Sequence, residues 1–266
     1  MITVNDLYTI INEYAPFCLA EEWDNVGILV GRGDKVIKKL LVTLDVDEYV
    51  VKEAQNLGCD AILSHHPLMF RGIKHLTDST PDERTLRALV ISDISLVSAH
   101  TNLDSVRGGL NDFLSDKLEM LNTKIIEPKG RYNSVEYGFG RIGNLKNSVT
   151  FSEMLKKVCE ILNINAVRYT GDLNRKISKI AVNCGGGADI MYECISLGAD
   201  LFLTGDVKYN PFRDANDSQM AIIDAGHYET EYVVSELFKN LINEKCPDIE
   251  VLCSKENKPV VKYYFK

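Results

Sequence analysis

Four of the five histidines lie where an apolar segment of the chain ends, and two carboxylates follow them at a fixed spacing. A histidine and a carboxylate four residues apart on a helix share one face, so both can reach one ion. Imidazole and carboxylate groups are common ligands of divalent transition metals. The residues with this placement are His65, His66, His100, Asp104, His227 and Glu231.

Each motif has a plain alternative when it is taken alone, as a pair of loop histidines or as a surface pair of histidine and glutamate. Their shared position at strand ends favours a ligand site, because open α/β sheets bind ligands there. One ion takes about four ligands, so five ligands with a bridging carboxylate predict two ions. The ligand types suit Zn, Mn, Fe and Ni alike. The predicted metal ligands are His65, His66, Asp104, His227 and Glu231.

The paired histidines are expected to contact different ions. Neighbouring side chains of a regular strand point to opposite faces, so one ion does not easily take both His65 and His66. Pro67 holds His66 in an extended or turn conformation. The arrangement therefore suits two ions with one ring each.

Two glycine clusters and the single tryptophan are weaker signals. Residues 138–143, GFGRIG, match a dinucleotide fingerprint, but the glycines fall inside a predicted strand rather than between a strand and a helix. Residues 185–187, GGG, lie between a predicted strand and helix, where they either cradle an anion or form a tight turn. We expect Trp23 to pack rather than to bind a ligand.

The elements that carry these residues come from an internal repeat. Residues 39–66 align without a gap with residues 179–206, with seven identities in 28 positions. Each copy indicates a strand, a turn, an amphipathic helix ended by glycine and a second strand, which favours a parallel βαβ unit. In the first copy Asp45 is the predicted helix N-cap and Gly58 the residue past its end. His100 and His227 each follow a further apolar strand, at an offset of 127 rather than 140.

The repeat predicts an α/β (α+β) fold with two intertwined lobes, each a mixed sheet flanked by helices. The first lobe is residues 1–125, with the HH and HTNLD motifs, and the second is residues 126–266, with the GGG turn and HYETE. Helices are expected over 151–161 and 228–243, and a short strand over 260–264.

Composition bounds the class of protein. The 266 residues are 45% hydrophobic and 26% charged, as in ordinary globular domains. A formal charge of -8 argues against general nucleic-acid binding, because phosphate backbones are bound mainly by Lys and Arg. The seven cysteines include no C-x-x-C pair, which predicts buried free thiols in a reducing compartment. Without an N-terminal signal or a membrane-spanning segment, the expected location is the cytoplasm.

Several motifs in order carry a resemblance to a known family. The chain resembles the GTP cyclohydrolase I type 2 homologue family, also called NIF-three-like proteins, nearly from end to end. That resemblance implies a duplicated α/β fold, a dinuclear metal centre with the five ligands named above, and a toroidal homohexamer. The motifs are EEWDNVGILVG (21–31), LSHHPLMF (63–70), SAHTNLD (98–104), GGLND (108–112), GFGRIG (138–143) and GHYETE (226–231).

The family name implies an activity, ring-opening hydrolysis of GTP, in which water attacks C8 of guanine. His100 is the candidate catalytic residue, and either His100 or a ligand carboxylate would move protons beside the metals. Arg71, Lys74 and Arg107 either meet a triphosphate or form a solvated basic face. The leading hypothesis is a metal-dependent hydrolase of a small molecule or nucleotide. The alternative is a non-enzymatic ring assembly that binds metal or a protein partner.

Overall fold

The computed structural model describes residues 1–264 and divides the chain into two compact units. Unit 1 comprises Met1–Leu103 with Val234–Val260, and unit 2 comprises Asp104–Val233 with residues 261–264. The strands and helices are β1 (Ile2–Thr3), α1 (Val4–Tyr14), β2 (Gly27–Val30), β3 (Val36–Ile37), β4 (Lys39–Thr43), α2 (Glu48–Leu57), β5 (Ala61–Ser64), α3 (Pro81–Ile91), β6 (Ser95–Ser98), α4 (Thr101–Ser105), α5 (Leu110–Lys117), β7 (Leu121–Tyr132), β8 (Val135–Thr150), α6 (Phe151–Leu162), β9 (Arg168–Thr170), β10 (Lys176–Gly186), α7 (Met191–Ser196), β11 (Leu201–Gly205), α8 (Tyr209–Asp217), β12 (Ala221–Asp224), α9 (His227–Glu231), α10 (Val234–Lys245) and β13 (Glu250–Cys253).

Unit 1 is built on a five-stranded sheet in the order β13-β4-β5-β6-β2. The four strands from β13 to β6 are parallel, and β2 is antiparallel to β6 at the edge. The strands β4, β5 and β6 are buried along nearly their whole length, as parallel strands covered on both faces are. Their apolar side chains pack with those of α2 and α3 in one core.

Unit 2 is built on a six-stranded sheet in the order β7-β8-β10-β11-β12-β9. The central strands β10, β11 and β12 are parallel, while β7, β8 and β9 pair antiparallel. A second core packs under this sheet and includes Phe202 and Met191, both almost fully buried. The predicted fold class is confirmed, because each unit is a mixed sheet flanked by helices.

The two copies of the repeat have the same element order and the same strand register. Leu40 pairs with Ala61 in unit 1, and the equivalent Ile180 pairs with Leu201 in unit 2. Gly58 and Gly198 both end a helix in the left-handed conformation, at φ 68° and 73°. The structure therefore gives both copies the strand, helix and strand that the repeat predicts.

One helix cap differs from the prediction. The N-cap of α2 is Asp47, whose carboxylate accepts from the amide of Val50 at 2.8 Å. Asp45 was the predicted cap, and that prediction was wrong because its carboxylate contacts a histidine ring instead. This turn contains two aspartates, Asp45 and Asp47. Only the contact of Asp45 with His66, 21 residues away, shows which of them is the cap.

The lobe division at residue 125 stays a prediction, and the compact units have other bounds. Strand β13, near the C-terminal end, pairs in parallel with β4 and so belongs to the sheet of unit 1. The predicted helix over 228–243 is two helices, α9 and α10. Residues 260–264 form no strand, so that prediction was wrong. In the described residues, 1–264, no helix is long and apolar enough to cross a membrane.

The GFGRIG segment lies entirely within β8. A Cβ on Gly138 would lie 2.1 Å from the carbonyl oxygen of Glu127, so glycine is needed where β7 and β8 approach closely. A dinucleotide site requires a strand, a glycine turn and a helix in succession. The geometry of residues 138–143 therefore supports a strand rather than a dinucleotide-binding turn.

Candidate metal centre

Three histidines of unit 1 lie together just beyond the carboxyl ends of two adjacent parallel strands. His65 and His66 follow β5, and His100 follows β6. The ring centroids are 5.3 Å apart for His65 and His66, 5.1 Å for His65 and His100, and 5.4 Å for His66 and His100. One ring nitrogen from each lies within 4.8 Å of the other two, close enough for a metal ion to be held.

Each of these rings makes a hydrogen bond through Nδ1. The His65 Nδ1 lies 2.8 Å from the carbonyl oxygen of Ala99, which can only accept, so Nδ1 carries the hydrogen. His66 Nδ1 contacts the Asp45 carboxylate at 2.7 Å, and His100 Nδ1 contacts the Asp24 carboxylate at 3.0 Å. Such bonds fix the ring orientation and leave Nε2 as the lone-pair nitrogen of a neutral ring, as in metal-binding histidines.

The two carboxylates are themselves held in place. The Asn257 side chain donates to Asp45 at 3.1 Å. The Asp24 side chain is fully buried and accepts from the Thr101 amide at 3.1 Å. Burial has the largest single influence on the pKa of Asp24 and raises it, but hydrogen bonds from His100 and Thr101 outweigh it and lower the pKa to about 2. Asp24 is therefore ionised at neutral pH and accepts a hydrogen bond from the His100 ring.

In unit 2, His227 and Glu231 form a pair at the end of β12. The His227 Nε2 lies 3.0 Å from the Glu231 carboxylate, and its Nδ1 lies 2.8 Å from the Asp206 carboxylate. Glu231 is almost fully buried, although it is a charged residue. A buried carboxylate needs a hydrogen-bonding or charged partner, and a metal ion is one such partner.

The position before this histidine differs between the copies. Ala99 donates its amide to Ser64, and the equivalent Ala225 donates to Thr204, at an offset of 126. His100 follows Ala99 directly, whereas Gly226, at φ 96°, is inserted before His227. This one residue accounts for the step from 126 to 127. The fall from 140 to 126 comes from the segment between β5 and β6, which is longer than the one between β11 and β12.

Gly185 leaves space for the Glu231 side chain. A Cβ on Gly185 would lie 2.1 Å from Glu231 Oε1 and 3.1 Å from His227 Nε2. Its backbone is also left-handed, at φ 65°. In the repeat alignment Gly185 is equivalent to Asp45, and Asp206 is equivalent to His66. The first copy thus has a carboxylate and a histidine at these two positions. The second copy has a glycine, which has no side chain, and a carboxylate.

The GGG segment is poorly suited to bind an anion. The amide of Gly185 donates to the Thr230 hydroxyl at 2.9 Å, and the amide of Gly187 donates to the Thr204 hydroxyl at 3.0 Å. Amides that already donate within the protein do not offer the cradle that an anion requires. The turn interpretation of this segment is the one that the geometry favours.

Asp104 lies in the same unit as Glu231, with carboxylate oxygens of the two within 4.8 Å. The Asn111 side chain donates to the Asp104 carbonyl at 3.0 Å and accepts from the Cys184 amide at 2.9 Å, so one residue ties α4 to the strand that leads to Gly185. Burial, with added repulsion from Glu231 and Asp104, raises the pKa of the Cys184 thiol well above its ordinary value. This cysteine is therefore a neutral thiol at neutral pH.

A fully buried arginine supports this region. The guanidinium of Arg141 contacts the Asp112 carboxylate at 2.9 Å, the Gly138 carbonyl at 2.8 Å and the Val106 carbonyl at 2.8 Å. The GGLND and GFGRIG motifs are thus joined by one ion pair. The segment after Asp104 has little regular structure, and Arg141 satisfies its carbonyls instead.

Within each unit, the predicted site residues lie together. His65, His66 and His100 form one group in unit 1, while Asp104, His227 and Glu231 lie near one another in unit 2. Strand β5 ends at Ser64, so strand alternation does not govern His65 and His66. Their assignment to different ions stays a prediction.

The carboxylates that orient the rings were missed by sequence reasoning. They are Asp24, Asp45 and Asp206. Asp24 lies 76 residues from its histidine and gives no local signal, while Asp45 was interpreted as a helix cap. Asp206 aligns with His66 in the repeat, which was a usable signal.

The donor set fits a divalent transition metal. It consists of imidazoles with fixed tautomers and of buried carboxylates, with a glycine where any other residue would displace Glu231. These histidine and carboxylate groups can hold a metal ion.

The remaining candidates lie on the surface. Arg71 and Lys74 are exposed, and Arg107 contacts Asp112 at 3.4 Å. Trp23 is 59% exposed, so the prediction that it packs was wrong. Its ring lies 6.0 Å from that of His100, in an edge-on arrangement.

Comparisons with known proteins give consistent results. A Clostridium perfringens (strain 13 / Type A) protein named GTP cyclohydrolase 1 type 2 homolog is 41% identical over 256 residues, covering 96% of this chain and 97% of that protein. A crystal structure of a hypothetical protein from Staphylococcus aureus matches at TM-score 0.89 and 31% identity, over 99% of each chain. Reduced HcgD from Methanocaldococcus jannaschii matches at TM-score 0.79 and 31% identity, over 96% of this chain and 98% of that one.

The family model described as Duf34/NIF3 (NGG1p interacting factor 3) matches residues 2–259, which is nearly the whole chain. Sequence relatives and solved structures agree with that match over the same length. The chain belongs to the Duf34/NIF3 family.

Proposed function

We propose that this protein is a metal-dependent hydrolase of a small phosphorylated or nucleotide substrate. Two divalent ions are held by His65, His66, Asp104, His227 and Glu231. The observation that carries the proposal is the fixed orientation of the histidines, each of which is hydrogen-bonded through Nδ1. Histidines that only pack or face solvent do not need such partners, whereas metal ligands regularly have them.

Divalent ions in such a site lower the pKa of coordinated water and polarise the group under attack. The protein supplies the ligand positions through the strand ends, and the Gly185 gap lets the Glu231 carboxylate stand beside His227. His100 moves the proton. Its Nδ1 is bonded to the ionised Asp24, which fixes the ring and stabilises it when it is protonated.

GTP is the first candidate substrate. The support is the printed name of relatives such as the Clostridium perfringens protein, GTP cyclohydrolase 1 type 2 homolog. Attack of one water at C8 opens the guanine ring to a formamide, and a second water releases C8 as formate. The change in the purine ultraviolet spectrum and the release of formate can each be followed directly.

The test is elemental analysis together with GTP turnover after reconstitution with Zn, Mn, Fe or Ni. We expect close to two ions per chain and activity that depends on both. The double variant His65→Ala/Glu231→Ala should lose the ions. His100→Asn should keep them and lower turnover by about 10²- to 10⁴-fold, the usual contribution of a proton-transfer residue. His75→Ala is the matched control, because His75 lies in an exposed loop.

Two results would contradict the proposal. One is a protein that holds one ion or none after reconstitution with every metal. The other is a dimetal form that leaves GTP and a panel of nucleotides and phosphoesters intact, which would favour the non-enzymatic metal-binding role. Loss of an ion in His100→Asn would make this histidine a ligand rather than a proton carrier.

A further inference from the structure

Two exposed aromatic side chains of unit 1 lie next to His100. The rings of Trp23 and Phe70 are 6.1 Å apart at an angle of 37°. They are 59% and 49% exposed. The Phe70 ring lies 5.8 Å from that of His100, and the Trp23 ring lies 6.0 Å from it. Large aromatic side chains usually bury their surface, so an exposed pair beside a reactive histidine calls for an explanation.

The backbone under both rings is fixed. Asp24, next to Trp23, is bonded to His100 and Thr101 and has a fully buried side chain. The side chain of Asn25 donates to the carbonyl of Met69, next to Phe70, at 2.5 Å. These bonds tie the two loops to each other and to the histidine. The backbone that carries the two rings is therefore fixed before any ligand arrives.

We propose that Trp23 and Phe70 form a subsite for a planar heteroaromatic ring, such as the purine of a nucleotide. Aromatic faces bind such rings by stacking, which tolerates different bases because each has a π face. The exposed cation Arg71 follows Phe70 directly, which suits a ligand carrying phosphate rather than a positive charge. This inference rests on the proposed function and names its substrate class.

The test uses the fluorescence of Trp23, the only tryptophan in the chain. Guanosine and ribose 5-phosphate are titrated into protein with and without divalent ions, with a correction for absorption of light by the base. We expect saturable quenching by guanosine and none by ribose 5-phosphate. Phe70→Leu should weaken guanosine binding about tenfold, whereas Phe70→Tyr should retain it.

Calorimetry tests the tryptophan itself, with Trp23→Ala expected to lose guanosine binding and Trp23→Phe to keep most of it. Tyr49→Ala is the matched control, because Tyr49 is a 72% exposed aromatic residue elsewhere in unit 1. Both replaced rings are largely exposed, so these variants should fold normally.

Three results would overturn the subsite. They are the absence of saturable guanosine binding, equal binding of a quaternary ammonium ion, and tryptophan fluorescence that changes only with protein concentration, which would indicate a second copy on this surface. Failure of the subsite and of the proposed function are distinguishable. Guanosine binding without nucleotide hydrolysis contradicts the hydrolase alone. Hydrolysis that is unchanged in Trp23→Ala contradicts the subsite alone.

Discussion

At the scale of single residues, each histidine ring of the candidate site is oriented by a hydrogen bond to its Nδ1. His66, His100 and His227 each contact a carboxylate through Nδ1, and His65 contacts a backbone carbonyl. A ring that rotates freely pays an entropic cost on binding metal, and a ring that is already oriented does not. In the proposed site, the orienting groups would therefore contribute to metal affinity without being ligands.

Gly185 gives a prediction about geometry. Gly185→Ala should lower metal affinity at least tenfold while the protein stays folded. The new Cβ would displace the end of the Glu231 side chain and crowd His227 Nε2, and both groups are proposed ligands. Metal affinity is measured by competition with a chromophoric chelator, and folding by circular dichroism.

The matched control for this prediction is Gly198→Ala. Gly198 has a similar left-handed backbone, at φ 73°, but a Cβ there has no neighbour within 4 Å. Both variants therefore carry the same backbone strain, on the order of 1 kcal/mol. Equal metal affinities in the two variants would show that the gap at Gly185 has no role in ligand placement.

The candidate ligands could be identified in the sequence because strand ends and short spacings are local features. The groups that orient them could not, since Asp24 and His100 lie 76 residues apart and meet only after folding. Trp23 was misjudged for the same reason. A lone tryptophan in a sequence is usually buried, and its exposure beside Phe70 depends on two separate loops.

At the scale of elements, the repeat explains why the strands and helices before the site could be predicted. Apolar runs, a glycine stop and a helical period occur in both copies, so each supports the interpretation of the other. The break between α9 and α10 could not be predicted, because nothing in the local sequence marks it. Residues 260–264 are apolar enough for a strand, but a strand also requires a partner.

One side-chain contact recurs in both copies and gives a test of the duplication. Asp60 accepts from the amides of Lys38 and Lys39 at 2.7 and 3.0 Å. The equivalent Asp200 accepts from Ser178 and Lys179 at 2.8 and 2.9 Å. Asp60→Ala and Asp200→Ala should each lower the free energy of unfolding by about 2 kcal/mol, because two amides lose a charged acceptor.

The measurement is urea denaturation followed by circular dichroism, which reports on both units. Asp34→Ala is the control, since that aspartate is 78% exposed and pairs only with a surface arginine. A large loss for one of the two aspartates and none for the other would show that the shared contact has different roles in the two copies.

At the scale of the whole molecule, we predict a homohexamer. The family resemblance implies that assembly, and the adjacent Val90 and Ile91 at the end of α3 are 56% and 76% exposed, as at association surfaces. Light scattering after gel filtration should give six chains per particle at low micromolar concentration. A particle of one or two chains across a range of concentrations would contradict this.

The inserted Gly226 has a consequence for how such a protein evolves. A half-length ancestor acting as a pair of identical subunits would carry every change in both subunits at once. Once two copies are present in one gene, each can mutate alone, and the single added residue before His227 is a difference that two identical subunits cannot have. The same holds for two pairs of equivalent positions that differ between the copies, Asp45 and Gly185, and His66 and Asp206. Selection could then act on one half while the other kept its existing task.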